Sequence, residues 1–152
     1  MSSQVCAPAL EVRRSCCEDV LPMLSLMRQL RYPTTPSVLK ERLTMLENHP
    51  TQCSFVAELD GVVVGTIFLG MHQTHDMTEP VSHITALVVD EEHRRSGIGE
   101  HLIEKAEAWG REKGSTQLVV SIAKVDGRNS AKSFYESHGF TCFGYRMSKA
   151  LV

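Results

Sequence analysis

The spacing of apolar side chains changes along this chain, and each change predicts an element. Pro8 to Arg14 alternates enough to predict a first strand. Val20, Leu24, Met27 and Leu30 then recur at helical spacing, which predicts a helix from about Cys16 to Arg31. Ser15 with Glu18 three residues on matches a capping box, and Pro22 sits early enough in the helix to be tolerated. The stretch Tyr32 to Pro36 breaks the pattern. Thr35-Pro36 reads as an N-cap with proline at the first helical position, opening a helix over Ser37–Asn48 that buries Leu39, Leu43 and Leu46. His49-Pro50 ends it.

Two strands follow, Cys53–Leu59 and Val62–Gly70, joined by Asp60-Gly61, a strong hairpin pair. Residues 71–80 are polar and predict a loop or a ragged strand end. Ile84 to Val89 is an apolar, β-branched run that predicts a buried strand. Ile98, Leu102, Ala106 and Trp109 continue at helical spacing to about Lys113, with Gly114 as C-cap. Leu118–Ile122 predicts another strand, Asn129–His138 a helix stopped by Gly139, and Phe140–Ser148 a last strand. The order implies one α/β domain over residues 1–152, an antiparallel hairpin half followed by a βαβ half.

Composition narrows the function. A chain of 152 residues, 42% hydrophobic and 22% charged, is long enough to bury a core without staples. Its net charge of −2 argues against a nucleic-acid partner. No apolar run reaches the roughly 20 residues a membrane helix needs, and no signal-peptide pattern opens the chain, so a cytoplasmic protein is expected. The five cysteines (Cys6, Cys16, Cys17, Cys53 and Cys142) are odd in number and lack metal-site spacing, which predicts free thiols and no metal.

The candidate chemistry lies between the Ile84–Val89 strand and the next helix. Arg94-Arg95-Ser96-Gly97-Ile98-Gly99 sets two cations and two glycines at a helix start. The first N–H groups of a helix have no intrahelical partner and carry partial positive charge. Glycines admit a ligand close to that backbone, so the stretch predicts an anion site, above all for phosphate. A triphosphate P-loop motif is absent, and Leu102 stands where a dinucleotide fold would place its third small residue.

This loop, together with Asn129-Ser130-Ala131 … Phe134-Tyr135 … Gly139-Phe140, resembles the paired motifs of the GNAT superfamily of acyl-CoA-dependent N-acetyltransferases. The resemblance spans about the whole chain, although the first 50 residues match only in element order. It implies a central mixed sheet with splayed parallel strands flanked by helices. It also implies acetyl-CoA as cofactor, a primary amine of a small polar molecule as acceptor, and a homodimer. Arg94, Arg95, Ser96, Gly97, Ile98, Gly99 and Glu100 would form the pyrophosphate loop. The backbone of Leu87, Val88 and Val89 would pair with the pantetheine arm, and Asn129 would bond the arm or the phosphate side. Peptide N-termini are the alternative acceptors, and a non-catalytic acyl-CoA-binding module is the alternative class.

Direct attack on a thioester asks for two proton-handling groups. An alkylamine with a pKa of ~10 must lose a proton first, and a thiolate whose thiol has a pKa of ~8.5 leaves more readily beside an acid. Tyr135, where the family commonly places a tyrosine near the sulfur, is the expected acid, with a core aromatic as the alternative reading. Many relatives carry a glutamate on the central strand as base. Here Ser82 to Leu87 has no carboxylate, so His83 is the nearest candidate, with His72, His75, Asp76 and Glu79 behind it.

Overall fold

The computed structural model describes residues 9–30, 34–122 and 130–152. Five strands form one sheet in the order β1-β2-β3-β4-β5, comprising Leu10–Arg14, Gln52–Leu59, Val62–His72, Val81–Val89 and Gln117–Val120. The first four are antiparallel to their neighbours, whereas β4 and β5 run parallel. Helices α1 (Val20–Gln29) and α2 (Pro36–Leu46) cover one face; α3 (Ile98–Glu112) and α4 (Ser130–Ser137) lie on the other. This is the mixed α/β sheet that the resemblance implies.

The hairpin forms because Asp60 and Gly61 both take positive φ, 49° and 84°, the geometry of a two-residue turn between right-twisted strands. The Asp60 carboxylate also accepts from the Ala9 N–H at 3.0 Å, which holds the start of β1 beside the turn. Thr35 caps α2, its hydroxyl accepting from the Val38 N–H at 3.3 Å with Pro36 at the first helical position. Along α3, Ile98, Leu102, Ile103, Ala106 and Trp109 make one buried stripe against Phe55, Ala57, Ile67 and Ile84 of the sheet. Burying each large aliphatic side chain there stabilises the fold by about 1.5–3 kcal/mol. The opposite face is closed by Met23, Leu24, Leu39 and Leu43 against Val56.

The start of α1 differs from the local sequence signal. Ser15 is not its cap, because the Ser15 hydroxyl pairs with the Ser54 hydroxyl and the Ser15 N–H donates to the Ser54 carbonyl at 3.0 Å. A 3-10 turn over Cys17–Asp19 intervenes, with the Asp19 carboxylate accepting from the Cys16 N–H at 2.8 Å. Arg13 grips the same carboxylate through two nitrogens, at 2.9 and 2.8 Å. An ion pair from the end of β1 thus sets the helix start. β4 begins three residues earlier than the apolar run suggests, and β3 runs on through Met71 and His72, the ragged strand end that the sequence allows.

The expected last strand, Phe140–Ser148, is not formed: residues 140–152 carry no regular secondary structure. A strand needs a ladder and one buried face. Here Phe143, Tyr145 and Met147 are 76%, 102% and 92% exposed, so the alternation buries nothing among the described residues. A bond from Arg146 Nη1 to Ser121 Oγ, 2.8 Å, ties the segment to the end of β5.

Candidate active site

β4 pairs with β3 along its length, but with β5 only from Val81↔Gln117 to Ile84↔Val120. Beyond that point the parallel strands part. Among the described residues, the backbone of residues 85–89 has no ladder on its β5 side, an open edge onto which an extended amide-bearing ligand can add as a strand would. A bulge marks the divergence: the register passes from Phe68↔Ala86 to Leu69↔Ile84, so Thr85 has no opposite residue. A bulge of this kind bends and twists its strand, and it accounts for the splay in local terms. Leu87 and Val89 pack toward α3 while Val88 packs against Leu26 and Met27 of α1. Their side chains belong to the core, so only backbone is available to a ligand.

The open edge runs straight into the glycine loop. The Asp90 N–H donates to the Val64 carbonyl at 2.7 Å, a 3-10 turn follows over Glu91–His93, and Arg94 Nε returns to the Val89 carbonyl at 3.1 Å. Ser96 bonds the His93 carbonyl through its hydroxyl. Arg95 and Gly97 both adopt left-handed backbone, φ 65° and 84°. The first intrahelical bond of α3 runs from the His101 N–H to the Gly97 carbonyl at 3.1 Å, so the N–H groups of Ile98, Gly99 and Glu100 have no helical partner. Left-handed residues before a free helix start make a backbone concavity that suits an anion.

The two glycines serve different needs. Gly97 supplies a conformation that side-chain-bearing residues avoid, in otherwise open space. Gly99 supplies room: a Cβ there would stand 3.0 Å from the Phe134 ring. Phe134 is therefore the contact that seats α4 on the N-terminal end of α3. Ile98 is 3% exposed and offers only its N–H, whereas Arg94, Arg95, Ser96 and Glu100 are exposed.

Tyr135 follows Phe134 on α4 and is 8% exposed. It lies edge-on to Phe134 and Phe140 with ring centroids at 5.2 Å in both cases, within the core that contains Ile84, Ile98 and Leu102. Burial pushes its phenol up to about 12. That position agrees with the core-aromatic reading and leaves it a hydrogen-bond donor rather than an efficient acid. Asn129 lies outside the described residues.

His83 sits one residue before the strands part, on the face opposite Ser82 and Ile84. Gly70 stands directly across from it on β3, and the exposed His72 ring leans over that gap to stack on His83, centroids 4.3 Å apart. His83 Nε2 is buried without a partner among the described residues. Burial, then His72, then Arg146 hold this imidazole below its ordinary value, so it is neutral near pH 7. The other loop candidates are brought elsewhere: Asp76 bonds the Thr74 hydroxyl, and Glu79 accepts from Thr116 Oγ1 at 3.2 Å. Among the described residues, no three His, Cys, Asp or Glu side chains are grouped to hold a metal.

A surface cleft of about 510 Å³, lined by Arg14, His49, Ser54 and Lys113 among others, lies at the C-terminal end of α3. Since α3 has 15 residues and a helix rises ~1.5 Å per residue, that cleft is ~20 Å from the loop. It is not the candidate site.

A mixed sheet whose two parallel strands part beside a backbone anion cradle is the architecture of acyl-CoA N-acyltransferases. The model of the Acetyltransferase (GNAT) family matches residues 20–140, and the chain belongs to that family. It is 30% identical to N-acetyltransferase 8 of Homo sapiens over 88 residues, 58% of this chain and 38% of that one. With N-alpha-acetyltransferase 30 of Xenopus laevis it shares 30% over 124 residues, 81% of this chain and 44% of that one. The chain thus spans about two-fifths of the length of these relatives. Among solved structures, the aminoglycoside N-acetyltransferase AAC(6')-Iy in complex with CoA superposes with a TM-score of 0.83 at 17% identity, covering 96% of this chain and 97% of that one. The glucosamine-6-phosphate N-acetyltransferase of Arabidopsis thaliana gives 0.79 at 19%, covering 95% and 99%. No helix among the described residues is long and apolar enough to cross a membrane.

Proposed function

We propose that this chain transfers an acetyl group from acetyl-CoA to a primary amine of a small polar molecule. The carrying observation is the continuity of the unpaired β4 edge at residues 85–89 with the free N–H groups of Ile98, Gly99 and Glu100. Those features fit an amide-bearing arm that ends in a pyrophosphate, with Arg94 and Arg95 adding charge at its rim. Bound there, acetyl-CoA supplies the acetyl thioester for direct attack by the amine.

This chain's residues then have separable tasks. The open edge of Leu87, Val88 and Val89 aligns the arm, and the loop fixes its anionic end. Backbone N–H on the splayed strand is suited to polarise a carbonyl, as an oxyanion hole does. His83, held neutral, would take up the amine proton directly or through water. Tyr135 would donate a hydrogen bond to the leaving sulfur. A phenol near 12 does not hand its proton to a thiolate whose thiol sits at ~8.5, so the stabilisation is electrostatic. His83 and Tyr135 belong to opposite faces of the sheet, which suits one group for the attacking amine and one for the leaving sulfur.

The peptide N-terminus remains a second acceptor reading, favoured by the match to N-alpha-acetyltransferase 30 over 81% of the chain. Calorimetry with acetyl-CoA, followed by detection of released thiol across small amines and short peptides, tests these readings. Micromolar binding with turnover of a small amine is expected. Turnover of peptides alone moves the acceptor class. Binding with no turnover of either class favours a non-catalytic module, and no binding overturns the cofactor reading.

A further inference from the structure

The C-terminal turn of α1 is bonded to the cofactor loop through one side chain. Gln29 Nε2 donates to Asp90 Oδ1 at 2.9 Å, and Gln29 Oε1 accepts from the Glu91 N–H at 3.0 Å. The orientation of the amide is fixed by its partners, since a carboxylate can only accept and an N–H can only donate. Asp90 in turn holds His93 Nδ1 at 2.9 Å through its other oxygen. The His93 carbonyl accepts from the Ser96 hydroxyl, immediately before the left-handed Gly97. A chain of bonds therefore runs from α1 to Ser96, one residue before the left-handed Gly97 that opens α3.

Nothing in the packing of α1 requires this link. The helix is already seated by Met23, Leu24, Leu26 and Met27, and Gln29 is only half-buried. Without Gln29, Asp90 would lose a partner on one oxygen and Glu91 would present an unpaired N–H at the loop entrance. Both changes free the 3-10 turn that precedes Arg94.

We infer that Gln29 is a positioning residue that ties the end of α1 to the loop over residues 90–99 and presets that loop for the cofactor. The inference rests on the acetyl-CoA reading for its affinity consequence, though not for the loop conformation itself.

The test reverses the polarity of the contact. In full-length protein, Gln29→Ala should weaken CoA about tenfold by calorimetry, the order of a lost hydrogen bond to a charged group. Gln29→Glu keeps the acceptor for Glu91 but sets a carboxylate against Asp90, and should weaken CoA more than the alanine does. Adding Asp90→Asn to Gln29→Glu restores a donor facing an acceptor and should return affinity to within about threefold of wild type, as double-mutant coupling requires. Amide hydrogen exchange at Glu91–Gly97, measured without ligand, should quicken in both single variants and recover in the double. Wild-type affinity and exchange in the single variants overturn the inference, as does a double variant no better than Gln29→Glu. If wild type fails to bind CoA while the exchange pattern holds, the cofactor reading falls and the hold of Gln29 on the loop stands.

Discussion

The two halves of the site are built from different materials. On the proposed cofactor side the candidate parts are backbone: the edge at residues 85–89 unpaired among the described residues, the left-handed Arg95 and Gly97, and the N–H groups that open α3. On the acceptor side the candidate groups are side chains, with His83 and His72 stacked on the face away from α3. Backbone sites depend on conformation, so they call for glycine and close packing. Side-chain sites depend on burial and charge, which distant parts of the chain supply. The same substitution size should therefore act differently in the two halves.

The sharpest test of this contrast is Gly99→Val. A Cβ at Gly99 already meets Phe134 at 3.0 Å, and two more methyl groups must displace that ring or the helix start. The expected cost is about 1–3 kcal/mol of stability, as for an overpacked core. Acetyl-CoA affinity should fall by more than tenfold, because the N–H cradle moves with the helix. Thermal melting and calorimetry read the two effects separately. Retained affinity in a destabilised protein would show that the cradle does not depend on the seat of α4, and the backbone account of this half would fail.

Tyr135→Phe should act on rate alone. The ring keeps its edge-on contacts with Phe134 and Phe140, so stability and cofactor affinity should stay near wild type. Loss of one hydrogen bond to a developing thiolate should lower kcat about tenfold. Unchanged turnover would leave Tyr135 as a core aromatic and remove it from the mechanism.

What was legible in the sequence follows the same division. Asp60-Gly61, Thr35-Pro36 and the Arg94–Gly99 loop are local devices, each dictated by the φ values or free N–H groups of a few adjacent residues, and each forms as the sequence implies. The misreadings involve partners outside the local motif. Ser15 resembled a cap until Ser54, 39 residues on, engaged it, and Asp19 set the helix start because Arg13 reached it across a turn. Alternation in Phe140–Ser148 looked like a strand, yet period alone does not supply the ladder or the cover that a strand needs. Gln29 gave no local signal, since its partners lie 61 and 62 residues away. Gly99 was legible as a glycine but not as a seat for Phe134.

The smallest expected effect, and the one that tests the side-chain half, concerns the histidine pair. His72→Ala removes the ring stacked on His83, admits water to it and takes away a nearby group that competes for charge. His83 should then titrate closer to its ordinary 6.5, which NMR of the labelled imidazole can follow directly. The sign for stability follows from linkage. A histidine depressed in the folded state favours folding above pH 6.5, and that contribution is lost as pH falls through the folded value, because the unfolded chain then binds the extra proton. With the depression relieved, the decline in stability below pH 6.5 should be shallower in His72→Ala than in wild type. Cofactor affinity should not change, since neither ring touches the loop. Titration of His83 at the same pH in both proteins would mean that burial by other groups alone sets its charge, and the acceptor side would then owe nothing to the pairing of the two rings.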